Sequence, residues 1–434
     1  MRVQMQPTTR SPRDESSSLI HAELLIPGRG EPLQDAALVI HKDKIEWLGS
    51  RSQVPEEYVD LDPTCVPVLM PGLWDCHVHF TGSSWDGELA KFQPYLPGFP
   101  ALAGALCAAD MKATLMAGFT SVRDLSGFGC DLWPGVAKGF LIGPNIYGAV
   151  AILSITGGHG DDGNQPLQNV LNASNMAGPP TQLCDGVEGC IRAVRTVVRR
   201  GARVIKVCST GGVTSVGDDP EDRQFSDEEL RAIVDEAGRS RRAVAAHAIG
   251  KAGILAALKA GATSIEHGIF LDDEVADMML EKDATLVPTQ HVIRSLISTY
   301  LDVFDPATRA KVLEISEQSK VSYKLALKRG VRFALGTDTL SSDTASPLRH
   351  GNNAQELGYA VELGMTPLQA IEMATANGPK TLAGMAPLSG QLREGYDADL
   401  IAVSESPLEN IKVLTDGDNV THVWKGGKLF KSPT

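Results

Sequence analysis

The sequence predicts an eight-stranded (β/α)8 barrel carrying a composite β-sandwich built from the two ends of the chain. Three observations point to this architecture. Eight short apolar strand candidates alternate with helical periodicity between residues 69 and 385. The flanking segments 19–68 and 386–434 read as strands and turns too poor in apolar residues to bury a core alone, so they need one another. Polar residues able to hold a metal recur at the C-terminal ends of the strand candidates, the face on which such barrels build their sites. An open doubly wound sheet is the alternative that strand count alone leaves open.

Residues 1–18 (MRVQMQPTTRSPRDESSS) are polar, lack the apolar stretch of a signal peptide, and read as a disordered leader. Leu24-Leu25-Ile26 runs into the turn Pro27-Gly28-Arg29-Gly30. Ala37 to Ile40 and Ile45 to Gly49 then flank the turn Lys42-Asp43-Lys44. At the other end, 390–403 is a turn feeding an apolar strand, and 420–430 is a hairpin turning at Lys425-Gly426-Gly427. Between these ends the strand candidates are 66–80, 120–124, 145–153, 203–208, 243–247, 264–267, 285–289 and 331–338. Helix signals fill the gaps. Ser226 with Glu229 three residues on is a capping box, and Thr366-Pro367 opens a helix with Pro at its first position. The longest aperiodic stretches, 155–184 and 211–224, both follow strands and belong at the functional face.

Bulk properties exclude several functions. The net charge is −13 and no basic stripe occurs, which argues against nucleic acid as a partner. No apolar run approaches the roughly eighteen residues of a membrane span. The seven cysteines are scattered without a Cys-x-x-Cys, as in a mostly reduced protein. A cytoplasmic location is the expectation, with secretion left open.

The chemistry starts at 71–80 (PGLWDCHVHF). His77 and His79 alternate on an extended strand, so both point to the same side. Lys206, His247, His267 and Asp338 end later strands. A buried Lys or Asp in an apolar strand is costly unless paired or coordinated. Four His, one Asp and a Lys whose amine has taken up carbon dioxide as a carbamate suit two zinc-like divalent ions. Such a pair can share a hydroxide and polarise a carbonyl, with Asp338 as general base. His159, in the Gly-rich run 156–161, is the candidate to donate to the carbonyl or clamp a substrate carboxylate. Gly211, Gly212 and Val213 are expected beside substrate, and His291 is expected to line the pocket. Arg123 and Asp124 read as a salt-bridged support beneath the metals, and Tyr147 as a weak candidate for substrate contact. His21, His41, His350 and His422 read as peripheral.

On 71–79, Lys206, His247, Glu266-His267 and Gly336-Thr337-Asp338, the chain resembles the metal-dependent amidohydrolase superfamily. The tail runs 366–371, 374–377 and 388–399 also fit that pattern, and the resemblance spans residues 20 to 430. Within the superfamily the chain is similar to the imidazolonepropionase- and prolidase-like carboxypeptidase branch. The resemblance implies a barrel with a composite sandwich and a binuclear zinc site. His77 and His79 with Asp338 would hold one ion, His247 and His267 the other, and N6-carboxylated Lys206 would bridge them. It further implies hydrolysis of N-acyl amino acids such as ochratoxin A, the amide of an isocoumarin acid with L-phenylalanine. The implied assembly is a homo-oligomer, with an octamer as the expected size. The loops 214–223 and 290–291 depart from the family pattern. The alternatives on the same scaffold are a prolidase-like dipeptidase or carboxypeptidase, or a cyclic-amide, ester or lactone hydrolase. A non-catalytic protein is disfavoured because all six ligand positions are filled.

Overall fold

The computed structural model describes residues 17–84, 99–175, 181–215 and 217–433. Most of the expected leader lies outside the described residues, and Ser17 and Ser18 already belong to the first strand. The first four strands are β1 (Ser17–Leu25), β2 (Leu33–His41), β3 (Lys44–Ser50) and β4 (Thr64–Pro71). The barrel strands follow as β5 (Leu73–Ser83), β6 (Phe119–Asp124), β7 (Asn145–Ile146), β8 (Ile152–Ser154), β9 (Thr181–Leu183), β10 (Val204–Cys208) and β11 (Ala243–Ala248). They continue as β12 (Ser264–His267), β13 (Thr285–Val287), β14 (Arg332–Phe333) and β15 (Thr339–Ser341). The chain closes with β16 (Leu400–Val403), β17 (Val420–Lys425) and β18 (Lys428–Lys431).

The two chain ends build one mixed sheet, ordered β18-β17-β16-β4-β1-β2-β3. Its joining pair is β4 with β16, antiparallel, setting Leu69 opposite Ala402. One face buries Ile20, Leu38, Ile40, Val66, Leu400 and Trp424 among themselves. The other face sets Val68, Met70, Ile401 and Val420 against Leu115 and Phe119 of the barrel. Each terminal segment thus gains the core it lacks alone. The β17–β18 turn places Gly426 and Gly427 at φ of 54° and 72°, a geometry that suits a two-residue hairpin and costs glycine nothing.

The barrel wall consists of two parallel arcs, β15-β5-β6-β7 and β14-β13-β12-β11-β10-β8-β9. Single backbone hydrogen bonds close the two seams. At one seam Ala149 N–H donates to Asp124 O (2.7 Å) and Arg203 N–H to Gly148 O (2.8 Å). At the other, Cys76 N–H donates to Leu335 O and Asp338 N–H to His77 O, both 2.7 Å. The expected continuous third strand, 145–153, is therefore two short strands with Val150 between them at a φ of 72°. The expected eighth strand, 331–338, keeps only Arg332–Phe333 as ladder, because the chain bends at its seam and Asp338 adopts a φ of 59°. The stretch 155–184 is more ordered than its lack of periodicity predicts. It holds the helix Leu167–Asn175 and the strand β9, which adds to the outer edge of β8. The capping boxes at Ser226/Glu229 and Thr366/Gln369 both form. No helix among the described residues is long and apolar enough to cross a membrane.

Asp399 ties the two parts of the molecule together. Its carboxylate accepts from Asn145 Nδ2 in the barrel (2.8 Å) and from Gly426 N–H in the terminal hairpin (2.7 Å). Burial pushes its carboxyl up to about 7, with the Gly426 N–H pulling the other way. Between its ordinary value and about 7 the folded chain binds more protons here than the unfolded chain does. Stability from this group therefore falls as pH rises through that window and is flat above it. Thermal melts of wild type and Asp399→Asn from pH 5 to 8 test the effect. The wild type should lose stability relative to the variant as pH rises, and parallel curves would contradict it.

Candidate metal centre

The histidines of β5 sit where alternation puts them. His79 Nε2 lies 3.0 Å and His77 Nε2 3.5 Å from Asp338 Oδ1. Lys206, on β10, brings its Nζ to 3.2 Å from His77 Nε2. His267, at the end of β12, has its ring 5.2 Å from that of His77 and 4.7 Å from that of His247 on β11. His159 stacks on His247 at 4.3 Å. All six expected ligand positions and His159 thus meet at one end of the barrel. His77, His79 and Asp338 form the tightest group, with ligand atoms within 4.8 Å of one another. His267 and Asp338 both have positive φ (69° and 59°). Non-glycine residues held in that region cluster at functional sites.

Each histidine has one ring nitrogen committed outside the cluster. His79 Nδ1 meets the carbonyl and hydroxyl oxygens of Ser126, each at 2.9 Å. His267 Nδ1 meets the Thr289 hydroxyl at 2.7 Å, and His247 Nε2 donates to Gly211 O at 3.0 Å. His77 Nδ1 lies 3.0 Å from Glu266 Oε2, an ion-pair contact that is off line for a hydrogen bond. The second nitrogen of each ring is left for the cluster, the arrangement that fixes tautomer in metal-binding histidines.

The electrostatics follow from burial and from Asp338. Burial lowers the Lys206 amine from its ordinary value, which favours its neutral, nucleophilic form. Burial also lowers His77, to about 4, with the Lys206 charge acting in the same direction. For His79 burial opposes protonation, but the adjacent Asp338 carboxylate outweighs it and raises the pKa. Burial works to raise Asp338, yet the facing His77 and His79 hold it well below the usual carboxylate range. Lys206 is 2% exposed, and its hydrogen-bond neighbour among the described residues is an imidazole rather than a carboxylate. A buried amine so placed, beside four inward-facing imidazoles and a carboxylate, makes a donor set that suits divalent metal.

Supporting residues that sequence reasoning did not assign lie just behind. Asp75 accepts from His77 N–H (3.0 Å), the Thr337 hydroxyl (2.6 Å) and Asn353 Nδ2 (2.7 Å), tying β5 to the Asp338 seam. Its signal was visible: a carboxylate inside an apolar strand, two residues before a ligand. Arg123 and Asp124 do not pair with each other, because neighbours on a strand face opposite sides. Arg123 instead binds Glu266 Oε1 (2.6 Å) and Cys76 O (2.6 Å), whereas Asp124 accepts from Gly129 N–H (2.9 Å). His350 is not peripheral. It is buried, stacks on Phe80, and reaches the His79 carbonyl through Nε2 at 3.2 Å.

The expected substrate contacts divide. His159 is held firmly beside the cluster: its N–H donates to Gln224 Oε1 (3.1 Å) and its Nδ1 meets Ser215 Oγ (2.8 Å). Ser215 in turn donates to Asp218 Oδ1 (2.6 Å). Gly212 packs so closely that a Cβ there would come within 2.0 Å of His159 Nδ1. The glycine serves the histidine's seat. Gly211 supplies the carbonyl that binds His247, and Val213 is packed in an apolar cluster with Ile249, Ile269 and Val292. His291 is turned away, with Nε2 donating to Pro347 O (3.0 Å). It lines a separate cleft of about 420 Å³ with Arg294 and Tyr359. Arg294 lies over Tyr359 there and pairs with Glu362 at 2.7 Å. Tyr147 stacks on Trp74 and belongs to a cluster with Val204 and Ala243, the first residues of β10 and β11, at the opposite end of the barrel.

The chain is also similar to known proteins over its whole length. The chain is 45% identical to an ochratoxinase of Aspergillus niger over 445 aligned positions, covering 100% of this chain and 91% of that one. It superimposes on the crystal structure of A. niger ochratoxinase with a TM-score of 0.89, covering 96% of each chain. A prolidase complexed with N-methylphosphonate-L-proline is similar at 30% identity and a TM-score of 0.85, over 96% of this chain and 100% of that one. A Xaa-Pro dipeptidase with methionine bound in its active site matches at 30% identity and a TM-score of 0.82, over the same shares. The model of the amidohydrolase family matches residues 68–430, most of the chain and every residue of the cluster, and the protein belongs to that family.

Proposed function

We propose that this chain hydrolyses the amide bond of N-acyl amino acids bearing a free carboxylate, ochratoxin A among them, at a binuclear zinc centre. The convergence of His77, His79, Lys206, His247, His267 and Asp338 beside His159 carries this reading, and the 45% identity to an ochratoxinase supports the substrate class. Bound divalent ions would acidify a water and polarise the amide carbonyl. His77, His79 and Asp338 would hold one ion, His247 and His267 the other, and a carbamate on Lys206 would bridge them. The protein groups handle the protons. Asp338 takes a proton from the attacking water and returns it to the leaving nitrogen as the C–N bond breaks, giving the free acid and the amino acid. Ser215 donates to Asp218, an acceptor-only carboxylate, so its oxygen accepts from His159 Nδ1–H. Burial lowers the His159 pKa, with Asp218 opposing it. A substrate carboxylate against Nε2 would favour the imidazolium, which donates to that carboxylate or to the carbonyl oxygen. The assembly is a homo-oligomer, an octamer in this reading, and the terminal segments 19–68 and 386–434 form the sandwich domain around the barrel.

A second reading, a prolidase-like dipeptidase, is favoured by the likeness to the prolidase and the Xaa-Pro dipeptidase. Steady-state kinetics on ochratoxin A, other N-acyl-L-phenylalanines and Xaa-Pro dipeptides separate the two. The proposal expects kcat/KM for N-acyl-L-phenylalanines to exceed that for Xaa-Pro dipeptides by at least about tenfold, a difference of roughly 1.4 kcal/mol in transition-state binding. The reverse order would replace it with the dipeptidase.

A further inference from the structure

The short helix Gln290–Ser295, which follows β13, is capped in an unusual way. Thr289 occupies its N-cap, where a threonine hydroxyl ordinarily accepts from the helix's own N–H groups. Here Thr289 adopts φ 50° and ψ 44°, and its side chain makes no capping bond. The hydroxyl instead lies 2.7 Å from His267 Nδ1. The helix's first N–H groups are taken from a distance by Glu356, on the helix Gln355–Leu363. Its two carboxylate oxygens accept from Gln290 N–H (3.1 Å) and His291 N–H (2.8 Å). Glu356 and Thr289 are both fully buried.

A buried carboxyl is a costly cap: desolvation pushes Glu356 up to about 8, while the Gln290 and His291 N–H groups and the Arg294 charge pull the other way. The cap's effect is to free Thr289. The same corner is held from a third side by Tyr323, whose hydroxyl lies 2.7 Å from both the His267 and Pro288 carbonyls. We propose that Glu356 is a positioning residue for His267. By capping the helix in place of Thr289, it holds Thr289 in its left-handed turn and leaves that hydroxyl to accept from His267 Nδ1–H. The His267 Nε2 lone pair then faces the cluster. The proposal rests on His267 being a metal ligand, and it adds a three-residue relay, Glu356 to Thr289 to His267, that crosses between elements far apart in sequence.

The test is Co2+ titration of the metal-free full-length protein, read by d–d absorption and by bound ions per chain, for wild type, Glu356→Ala, Glu356→Gln, Thr289→Val and the Ala/Val double variant. Glu356→Ala and Thr289→Val should each weaken binding of the His267-held ion by about ten- to hundredfold and alter its spectrum. Glu356→Gln keeps one acceptor oxygen and should fall between Ala and wild type. The double variant should bind no worse than the weaker single one, because both changes act through the same imidazole. If Glu356→Ala folds poorly, Glu356→Gln and Thr289→Val carry the same comparison. Wild-type affinity and spectrum in Glu356→Gln and Thr289→Val, or fully additive losses, would overturn the relay while leaving the metal centre standing. Failure of the wild-type chain to bind Co2+ at all would overturn the metal reading, and the relay with it.

Discussion

Asp338→Asn is expected to lower kcat by about a thousandfold or more, with KM changed little. Asparagine keeps an oxygen that can still face His77 and His79, and it tolerates the positive φ at this position, so the fold should survive. What it cannot do is accept a proton from water and pass it on. Asp338 lies 3.0 Å from His79 Nε2, and the facing imidazoles keep its carboxyl well below the usual range. It is therefore ionised across the working pH range and needs a bound Lewis acid opposite to make the water acidic enough. Steady-state kinetics on an N-acyl-L-phenylalanine, with metal content measured on the same samples, check this. A kcat within about tenfold of wild type, with metal retained, would remove Asp338 from the base role.

Lys206→Met carries the second large effect and has an unusual sign. Methionine matches lysine in length and apolar volume while deleting a buried amine that burial already disfavours as a cation. The metal-free variant should melt no lower than metal-free wild type, because a buried polar amine that is costly to desolvate is replaced by an apolar side chain. Its bound divalent metal should nonetheless fall to one ion per chain or fewer, and turnover should be lost. Lys206→Ala, which leaves a cavity where the carbamate would lie, should regain part of its activity with millimolar acetate or propionate. Two ions bound to Lys206→Met with activity intact would show that the amine is a structural neighbour of His77 and no more.

The site was far more legible in the sequence than the loops around it, for a physical reason. Ligands at strand ends carry two signals at once, apolar β-runs and an out-of-place polar residue, and His77, His79, Lys206, His247, His267 and Asp338 all show both. The barrel was legible from the same runs, although its seams at 147–151 and 334–338 were not. There closure rests on single hydrogen bonds and left-handed residues such as Val150, which leave no periodic trace. Glu356, Thr289, Ser215 and Asp218 were invisible because their partners lie in other elements, and a helix glutamate reads as surface until the neighbouring turn is seen to use it. His291 misled in the opposite way. It follows a barrel strand, but the helix begun by Thr289 carries its ring into a different cleft.

The cluster at the barrel's end is proposed to work as a metal-dependent amidase. Its most direct test is divalent metal per chain, by mass spectrometry of the purified full-length protein, paired with the rate of N-acyl-L-phenylalanine hydrolysis before chelation, after it, and after metal is restored. A metal-dependent amidase here should carry two ions per chain, with zinc the most active, lose hydrolysis as the ions leave, and recover it in proportion to the ions returned. Full hydrolysis by protein stripped of metal would contradict it.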